Sequence, residues 1–138
     1  MSKIKVYVWS DNSEGFYDVQ QPSEQPTWNN RGVFITGVDG RYWFTGIKPV
    51  SYPISDDGPM GEMLSALGRY PWRPAHMHFM LNHPQFERIV THTFVAGDTY
   101  LMSASVFGVK DSLILEYSLQ AHENTEWTAD FDFYMTPQ

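Results

Sequence analysis

Short segments in which apolar and polar residues alternate recur along the chain, and this pattern predicts β-strands. Within residues 3–9, Ile4, Val6 and Val8 occupy every second position. Successive side chains of a strand point to opposite faces, so the alternation predicts a strand with one apolar face. Similar segments predict further strands at residues 32–36, 41–47, 75–81, 88–94, 112–119 and 127–135.

Glycine, proline and helical spacing indicate how these strands are connected. Asp39 and Gly40 give a hairpin signal between residues 32–36 and 41–47. Three prolines within residues 49–59 predict an irregular or edge-like segment. Residues 61–68 carry apolar side chains at helical spacing and predict one short helix. About seven short strands without a repeating helical pattern predict an all-β fold, an antiparallel β-sandwich with long loops, formed by residues 1–138 as a single domain.

Composition supports a globular domain and excludes several kinds of chemistry. Of the 138 residues, 42% are hydrophobic and 18% are charged, which is typical of a globular chain rather than a disordered one. The 9 basic and 16 acidic residues give a formal charge of -7, which disfavours nucleic acid and anionic membranes as partners. The sequence has no cysteine, so thiolate metal sites, disulfides and thiol nucleophiles are excluded. No apolar stretch is long enough to cross a bilayer, and we predict a soluble, cytoplasmic protein.

The segment RPAHMHF, from Arg73 to Phe79, is the most informative one for chemistry. On a strand, His76 and His78 project from the same face, so both imidazoles can reach one metal ion. Two histidines with ordinary hydrogen bonds, in the core or on the surface, remain an alternative interpretation of so short a motif.

From the residues alone, the remaining ligands of such a metal stay open. Without cysteine, carboxylates and tyrosinates are the available donors. Asp56 or Asp57 could complete a ferrous site of the two-histidine, one-carboxylate type. Alternatively, Tyr17 follows a glycine-containing turn and Tyr52 lies in a proline-rigidified loop, where each could present a phenol. Taken singly, each tyrosine is also explained as a packed aromatic side chain.

Five separated blocks of the sequence together resemble one enzyme family. In chain order they are GFYDVQ, PVSYPISDDGP, GRYPWRPAHMHF, FVAGDTYL and VFGVKDSL. They resemble the intradiol ring-cleavage dioxygenases, most closely the hydroxyquinol and catechol 1,2-dioxygenase branch, over residues 8–133. The resemblance implies an oxidoreductase of aromatic catabolism that cleaves catechol-type diols with O2. The expected product is a cis,cis-muconate-type dicarboxylate.

The same resemblance implies a metal site and roles for individual residues. It places a mononuclear, non-haem Fe(III) between two tyrosinates and two imidazoles. It also implies that one tyrosinate leaves the metal and takes up a proton, and that an arginine stabilises negative charge on the substrate. The implied metal ligands are Tyr17, Tyr52, His76 and His78, the catalytic residues are Tyr52 and Arg73, and the substrate-pocket residues are Ile54, Ser55, His92 and Val106.

One part of the family pattern has no counterpart in this chain, namely the N-terminal helical region that the branch usually carries. Its absence predicts a more solvent-open pocket and a homo-oligomer that forms through a different surface. The alternative function is a non-catalytic β-sandwich that binds a metal or a phenolic ligand. Retention of all four implied ligands together with Arg73 argues against this alternative.

Overall fold

Strands make up most of the regular structure in the computed structural model, which describes residues 3–122 and 125–138. One short α-helix, α1, lies between the third and fourth strands. In chain order the elements are β1 (Lys5–Trp9), β2 (Arg31–Ile35), β3 (Tyr52–Pro53), α1 (Pro59–Ala66), β4 (Trp72–Arg73), β5 (His76–His83), β6 (Phe86–Val95), β7 (Ile114–Leu115), β8 (Ser118–His122) and β9 (Thr125–Thr128).

A five-stranded sheet forms the centre of the fold, with the strand order β2-β1-β5-β6-β7. Neighbouring strands are antiparallel except for β6 and β7, which are parallel. Two small antiparallel pairs, β3-β4 and β8-β9, lie beside this sheet. The predicted fold class, an all-β sandwich with long loops and one short helix, is therefore confirmed.

The hydrophobic core covers one face of the central sheet. Val6 and Val8 of β1 and Met77, Phe79 and Leu81 of β5 are all buried there. Aromatic side chains from the loops close this face, where Phe44 and Phe133 pack against the ring of Phe79. Because strand side chains alternate, the even-numbered residues of β5, including His76 and His78, lie on the opposite face.

Three of the predicted elements differ from the structure. Residues 41–47 form no strand, although the turn before them is present and Gly40 adopts φ 83°. Tyr42 and Phe44 do pack on the core and Trp43 is 85% exposed, so the side chains alternate as predicted, but the segment pairs with none of the described strands. Residues 112–119 divide into a 3₁₀ turn and two short strands. Of residues 127–135, only the first two belong to a strand, β9.

The helix lies close to the predicted position, with Pro59 in its first turn. Proline is favoured there because its missing N–H has no partner in the helix and its φ is already helical. Neither α1 nor any other helix in residues 3–122 and 125–138 is long and apolar enough to cross a bilayer.

Candidate metal centre

Strand register brings three histidines together on the face of the sheet opposite the core. Trp9 of β1 lies opposite His78 of β5, which in turn lies opposite His92 of β6. The Trp9 and His78 rings stack in parallel with centroids 5.0 Å apart. The His76 ring centroid lies 4.9 Å from that of His78 and 5.7 Å from that of His92. The two histidines of the HxH motif thus share one face, as period-two geometry requires.

Tyr17 reaches this face from the loop that follows β1. The Asn12 side-chain oxygen accepts hydrogen bonds from the backbone N–H groups of Glu14 and Phe16, at 2.9 and 3.0 Å, which closes the loop into a compact turn. The Tyr17 N–H donates to the side-chain oxygen of Gln20 at 2.8 Å. These bonds fix the backbone on both sides of Tyr17, so its phenol has a defined position.

Tyr52 and Arg73 are placed by the small β3-β4 pair, in which they lie directly opposite each other. The Arg73 Nη1 donates to the Tyr52 hydroxyl at 3.1 Å. Gly15 allows the Tyr17 loop to approach this pair, because a Cβ at Gly15 would lie 2.6 Å from the Cβ of Tyr52. Gly15 also adopts φ 86°, a conformation that glycine accepts without strain.

Two phenols and an imidazole converge at the meeting point of these elements. The Tyr17 and Tyr52 hydroxyl oxygens are 3.2 Å apart. The His76 Nε2 lies 3.4 Å from the Tyr17 oxygen and 3.5 Å from the Tyr52 oxygen. The His78 ring lies beside them, with its centroid 6.1 Å from that of Tyr17. The structure thus groups all four residues expected to bind the metal.

The protonation of these groups is set mainly by burial. The His76 Nδ1 donates to the Pro74 carbonyl at 2.7 Å, which leaves Nε2 as the unprotonated nitrogen that faces the phenols. Burial, assisted by the positive charge of Arg73, lowers the pKa of His76 to about 3. Burial followed by the neighbouring His92 lowers the pKa of His78 to about 4. Burial and the hydrogen bond to Tyr52 raise the pKa of Tyr17 well above its usual range. Without a cation, the site therefore holds neutral imidazoles and at least one neutral phenol.

The donor set fits a ferric ion. Neutral imidazole nitrogens are good metal ligands, and a highly charged cation reverses the pKa logic of nearby groups by favouring phenolate over phenol. The carboxylate alternative is not supported, because Asp56 and Asp57 are exposed. Among residues 3–122 and 125–138, no three histidine, aspartate or glutamate side chains are grouped so that they could hold a metal.

The residues expected to form the substrate pocket occupy different environments. His92 is half-buried within the histidine cluster, and its Nε2 has no hydrogen-bond partner in the described part of the chain. Ile54 is half-buried, and its N–H donates to the Pro71 carbonyl at 2.7 Å. Ser55 is exposed, and Val106 exposes 48% of its surface. Of these four residues, His92 is the one whose ring contacts the rings of candidate metal ligands in the described part of the chain.

Asp11 is a polar residue near this site to which the sequence analysis assigns no role. It heads the turn Asp11-Asn12-Ser13-Glu14-Gly15, and polar residues of this kind are usually exposed to solvent. In the structure, Asp11 is fully buried at 0% exposure. Burial raises the pKa of its carboxyl to about 6, an effect that the positive charge of Arg73 opposes. Nothing in the local composition distinguishes this aspartate from an ordinary turn former.

Comparison with known proteins places this geometry in an enzyme family. The sequence profile of a family described as Dioxygenase matches residues 1–137. The chain therefore belongs to the intradiol ring-cleavage dioxygenase family, as its five sequence blocks predict.

Among its relatives, hydroxyquinol 1,2-dioxygenase of Rhizobium sp. (strain MTP-10005) is 47% identical over 143 residues, a match that covers 95% of this chain and 48% of that protein. The crystal structure of hydroxyquinol 1,2-dioxygenase from Pseudomonas putida DLL-E4 superposes with a TM-score of 0.92 and 38% identity, covering 100% of this chain and 51% of the other. The structure of catechol 1,2-dioxygenase from Pseudomonas arvilla C-1 gives a TM-score of 0.88 and 30% identity, covering 99% and 47%. The chain thus spans about half the length of these relatives.

Proposed function

We propose that this chain provides the metal-binding catalytic part of an intradiol dioxygenase. The reaction is the cleavage of a catechol-type diol by O2 between its two hydroxylated carbons, which gives a cis,cis-muconate-type dicarboxylate. The observation that carries the proposal is the convergence of the Tyr17 and Tyr52 hydroxyls with the His76 Nε2, all within 3.2–3.5 Å of one another.

The proposed ligands of a single non-haem ferric ion are Tyr17, Tyr52, His76 and His78. When bound, the ion supplies Lewis acidity toward a substrate with two adjacent hydroxyl groups. The protein contributes two phenol oxygens that can carry negative charge and two imidazoles that burial keeps neutral. The Pro74 carbonyl keeps the His76 Nε2 free of a proton and directed at the site.

Arg73 and Tyr52 are the proposed catalytic residues. The guanidinium is a permanent cation, and its Nη1 lies 3.1 Å from the Tyr52 oxygen. It is therefore placed to stabilise negative charge on that oxygen, or on a substrate oxygen that takes its position. A bound ferric ion would keep both phenols deprotonated. We propose that the Tyr52 oxygen then accepts a proton from one substrate hydroxyl, while Tyr17 stays a phenolate.

The proposed substrates are hydroxyquinol and catechol, on which the named relatives act. The proposed role of His92 is a hydrogen bond to a substrate hydroxyl near the cluster. Its Nε2 is buried and has no hydrogen-bond partner among the described residues. A buried polar atom without a partner is unfavourable, and a substrate hydroxyl would supply one. Ile54, Ser55 and Val106 are the other proposed pocket residues.

The test is to load the purified chain with ferric iron and to record its visible spectrum. The expected result is a phenolate-to-iron absorption band that changes when catechol is added. Tyr52→Phe should alter this band, whereas Tyr134→Phe should leave it unchanged, because Tyr134 is 88% exposed and serves as the matched control.

Turnover is then measured as O2 uptake with hydroxyquinol and catechol in parallel, with the dicarboxylate product identified by mass spectrometry. Arg73→Gln should lower kcat by at least about 100-fold, the size expected when one charge-stabilising donor is lost. A coloured protein that binds catechol without consuming O2 would instead establish the non-catalytic binding module. A colourless protein that does not retain iron would contradict the metal site itself.

A further inference from the structure

The two candidate histidine ligands differ in what orients their rings. A histidine that binds a metal ordinarily donates its second ring N–H to a carbonyl or carboxylate, which fixes the ring. His76 follows this rule, because its Nδ1 donates to the Pro74 carbonyl at 2.7 Å. For His78, no hydrogen bond joins a ring nitrogen to any residue that the structure describes. Rotation of an imidazole about its last side-chain bond has no sharp minimum, so another contact must define this ring.

The contact that covers the His78 ring is the indole of Trp9. The two residues lie directly opposite each other in the antiparallel pair of β1 and β5. Their rings are parallel to within 3°, and the ring centroids are 5.0 Å apart. Side chains at opposite positions of neighbouring strands are close enough to pack on each other, and an offset parallel stack is a favoured arrangement of aromatic rings. The register of the two strands thus sets the plane of the imidazole.

The other rings beside His78 meet it at steep angles. His76, His92 and Tyr17 have ring centroids 4.9, 5.5 and 6.1 Å away, with interplanar angles of 76°, 60° and 53°. None of these rings lies flat against the imidazole. Among the ring contacts described for His78, the parallel one is that with Trp9.

An indole is also chemically suited to this position. It carries no ionisable group, so it can orient the imidazole without adding a charge. A carboxylate in the same place would favour the imidazolium form, which cannot bind a metal through its protonated nitrogens. It would also add a negative charge beside two phenols that a bound cation would ionise.

We propose that Trp9 is a positioning residue whose indole ring holds the His78 imidazole in the orientation in which it binds the metal. Trp9 acts through His78 and takes the place of the hydrogen-bonding partner that His76 has in Pro74. The role in metal binding rests on the proposed function, whereas the orientation of the ring by the indole does not. Loss of the indole would leave the imidazole free to rotate.

The first experiment is a crystal structure of the metal-free Trp9→Leu variant beside that of the wild type. The His78 ring should leave the plane that it occupies in the wild type, while the His76 Nδ1 should remain bonded to the Pro74 carbonyl. Trp9→Met, which also removes the flat ring, replaces Trp9→Leu if that variant does not fold. A His78 ring that keeps its wild-type plane in the variant would overturn the proposal.

The second experiment measures ferric iron affinity by competition with a chelator, under conditions where urea unfolding shows each variant to be folded. Trp9→Leu should lower the affinity about 10–100-fold, the size typical of losing a residue that orients a metal ligand. Trp9→Phe keeps a flat ring and should restore most of the affinity. Trp43→Leu is the matched control and should leave the affinity unchanged, because Trp43 is 85% exposed.

Two outcomes of this competition would contradict the proposal. An unchanged affinity in Trp9→Leu would show that the indole does not support metal binding. Equal losses in Trp9→Leu and Trp9→Phe would show that a flat ring is not what His78 requires. A wild-type chain that binds no iron would instead contradict the proposed function, and the metal-free crystal structures would still decide whether Trp9 orients the imidazole.

Discussion

At the scale of single residues, the Pro74 carbonyl determines which nitrogen of His76 is available. A carbonyl can only accept a hydrogen bond, so the 2.7 Å contact places the imidazole proton on Nδ1. Nε2 therefore presents its lone pair to the two phenols. The neutral state of this ring follows from its burial, since desolvation disfavours the imidazolium.

The lowered histidine pKa values predict acid sensitivity of the metal-free chain. In the folded state the pKa is about 3 for His76 and about 4 for His78, against 6.5 ordinarily. The unfolded chain therefore takes up protons first, so this stabilisation is complete above pH 6.5 and is lost as the pH falls toward 4. We expect the free energy of unfolding to fall by about 2–4 kcal/mol between pH 7.5 and 4.5.

Urea unfolding checks this expectation, and it is best performed in the Asp11→Asn variant. Asp11 acts with the opposite sign, because its raised pKa of about 6 gives stability that is present at low pH and lost as the pH rises through 6. Adding His78→Gln should make the pH dependence shallower. An unfolding free energy that is constant over this pH range would contradict the assignment of neutral, desolvated imidazoles.

At the scale of elements, the two faces of strand β5 have different roles, one in the hydrophobic core and one at the candidate metal centre. Met77, Phe79 and Leu81 point into the hydrophobic core, whereas His76 and His78 point to the candidate metal centre. Substitutions on the two faces should therefore have different consequences.

Phe79→Ala tests the core face of this strand. Phe79 is buried and packs against Phe44 and Phe133, so its truncation leaves a cavity and should cost about 3–5 kcal/mol of stability. Ile35→Ala, at an exposed position of β2, is the control and should change stability by less than about 0.5 kcal/mol. Equal effects of both substitutions in urea unfolding would contradict the assignment of faces.

The strands show which parts of the fold the sequence could and could not predict. Alternation in β1 and β5 is a local property, so it correctly predicts both strands and the shared face of the two histidines. The strand predicted at residues 41–47 is wrong because alternation reports which side chains are buried, not whether a neighbouring strand supplies hydrogen bonds. The two-residue strands β3 and β4 are too short to give any pattern, although their register brings Arg73 to Tyr52.

The approach of the tyrosines to the histidines depends on tertiary contacts between distant segments. Tyr17 and Tyr52 are 35 positions apart, and only their resemblance to family motifs pointed to a shared site. Asp11 illustrates the remaining limit. It is buried at the end of β1, where the distant Asn30 side chain donates to its carbonyl, and residue type alone predicts the opposite environment.

At the scale of the whole molecule, an apolar row of side chains crosses the sheet beside the candidate metal centre. Cross-strand pairs place Val33, Tyr7, Met80 and Val90 in line over β2, β1, β5 and β6. Val33 is 58% exposed and Val90 is 66% exposed. A cleft of about 380 Å³ opens beside Val33, Tyr7 and Met80 of this row and is also lined by Trp28. Contiguous exposed apolar surface of this kind is typical of an interaction site.

The homo-oligomer predicted from the sequence resemblance can be tested at this apolar row. Sedimentation equilibrium should give a mean mass that rises with protein concentration. Val33→Lys combined with Val90→Lys should return the mass to that of the 16.0 kDa monomer, because the association would then bury two uncompensated charges. The iron-dependent colour should survive these changes, since neither side chain belongs to the candidate metal centre. A wild-type mass that stays monomeric at all concentrations would contradict self-association, and an unchanged oligomer in the lysine variant would assign the interface to another surface.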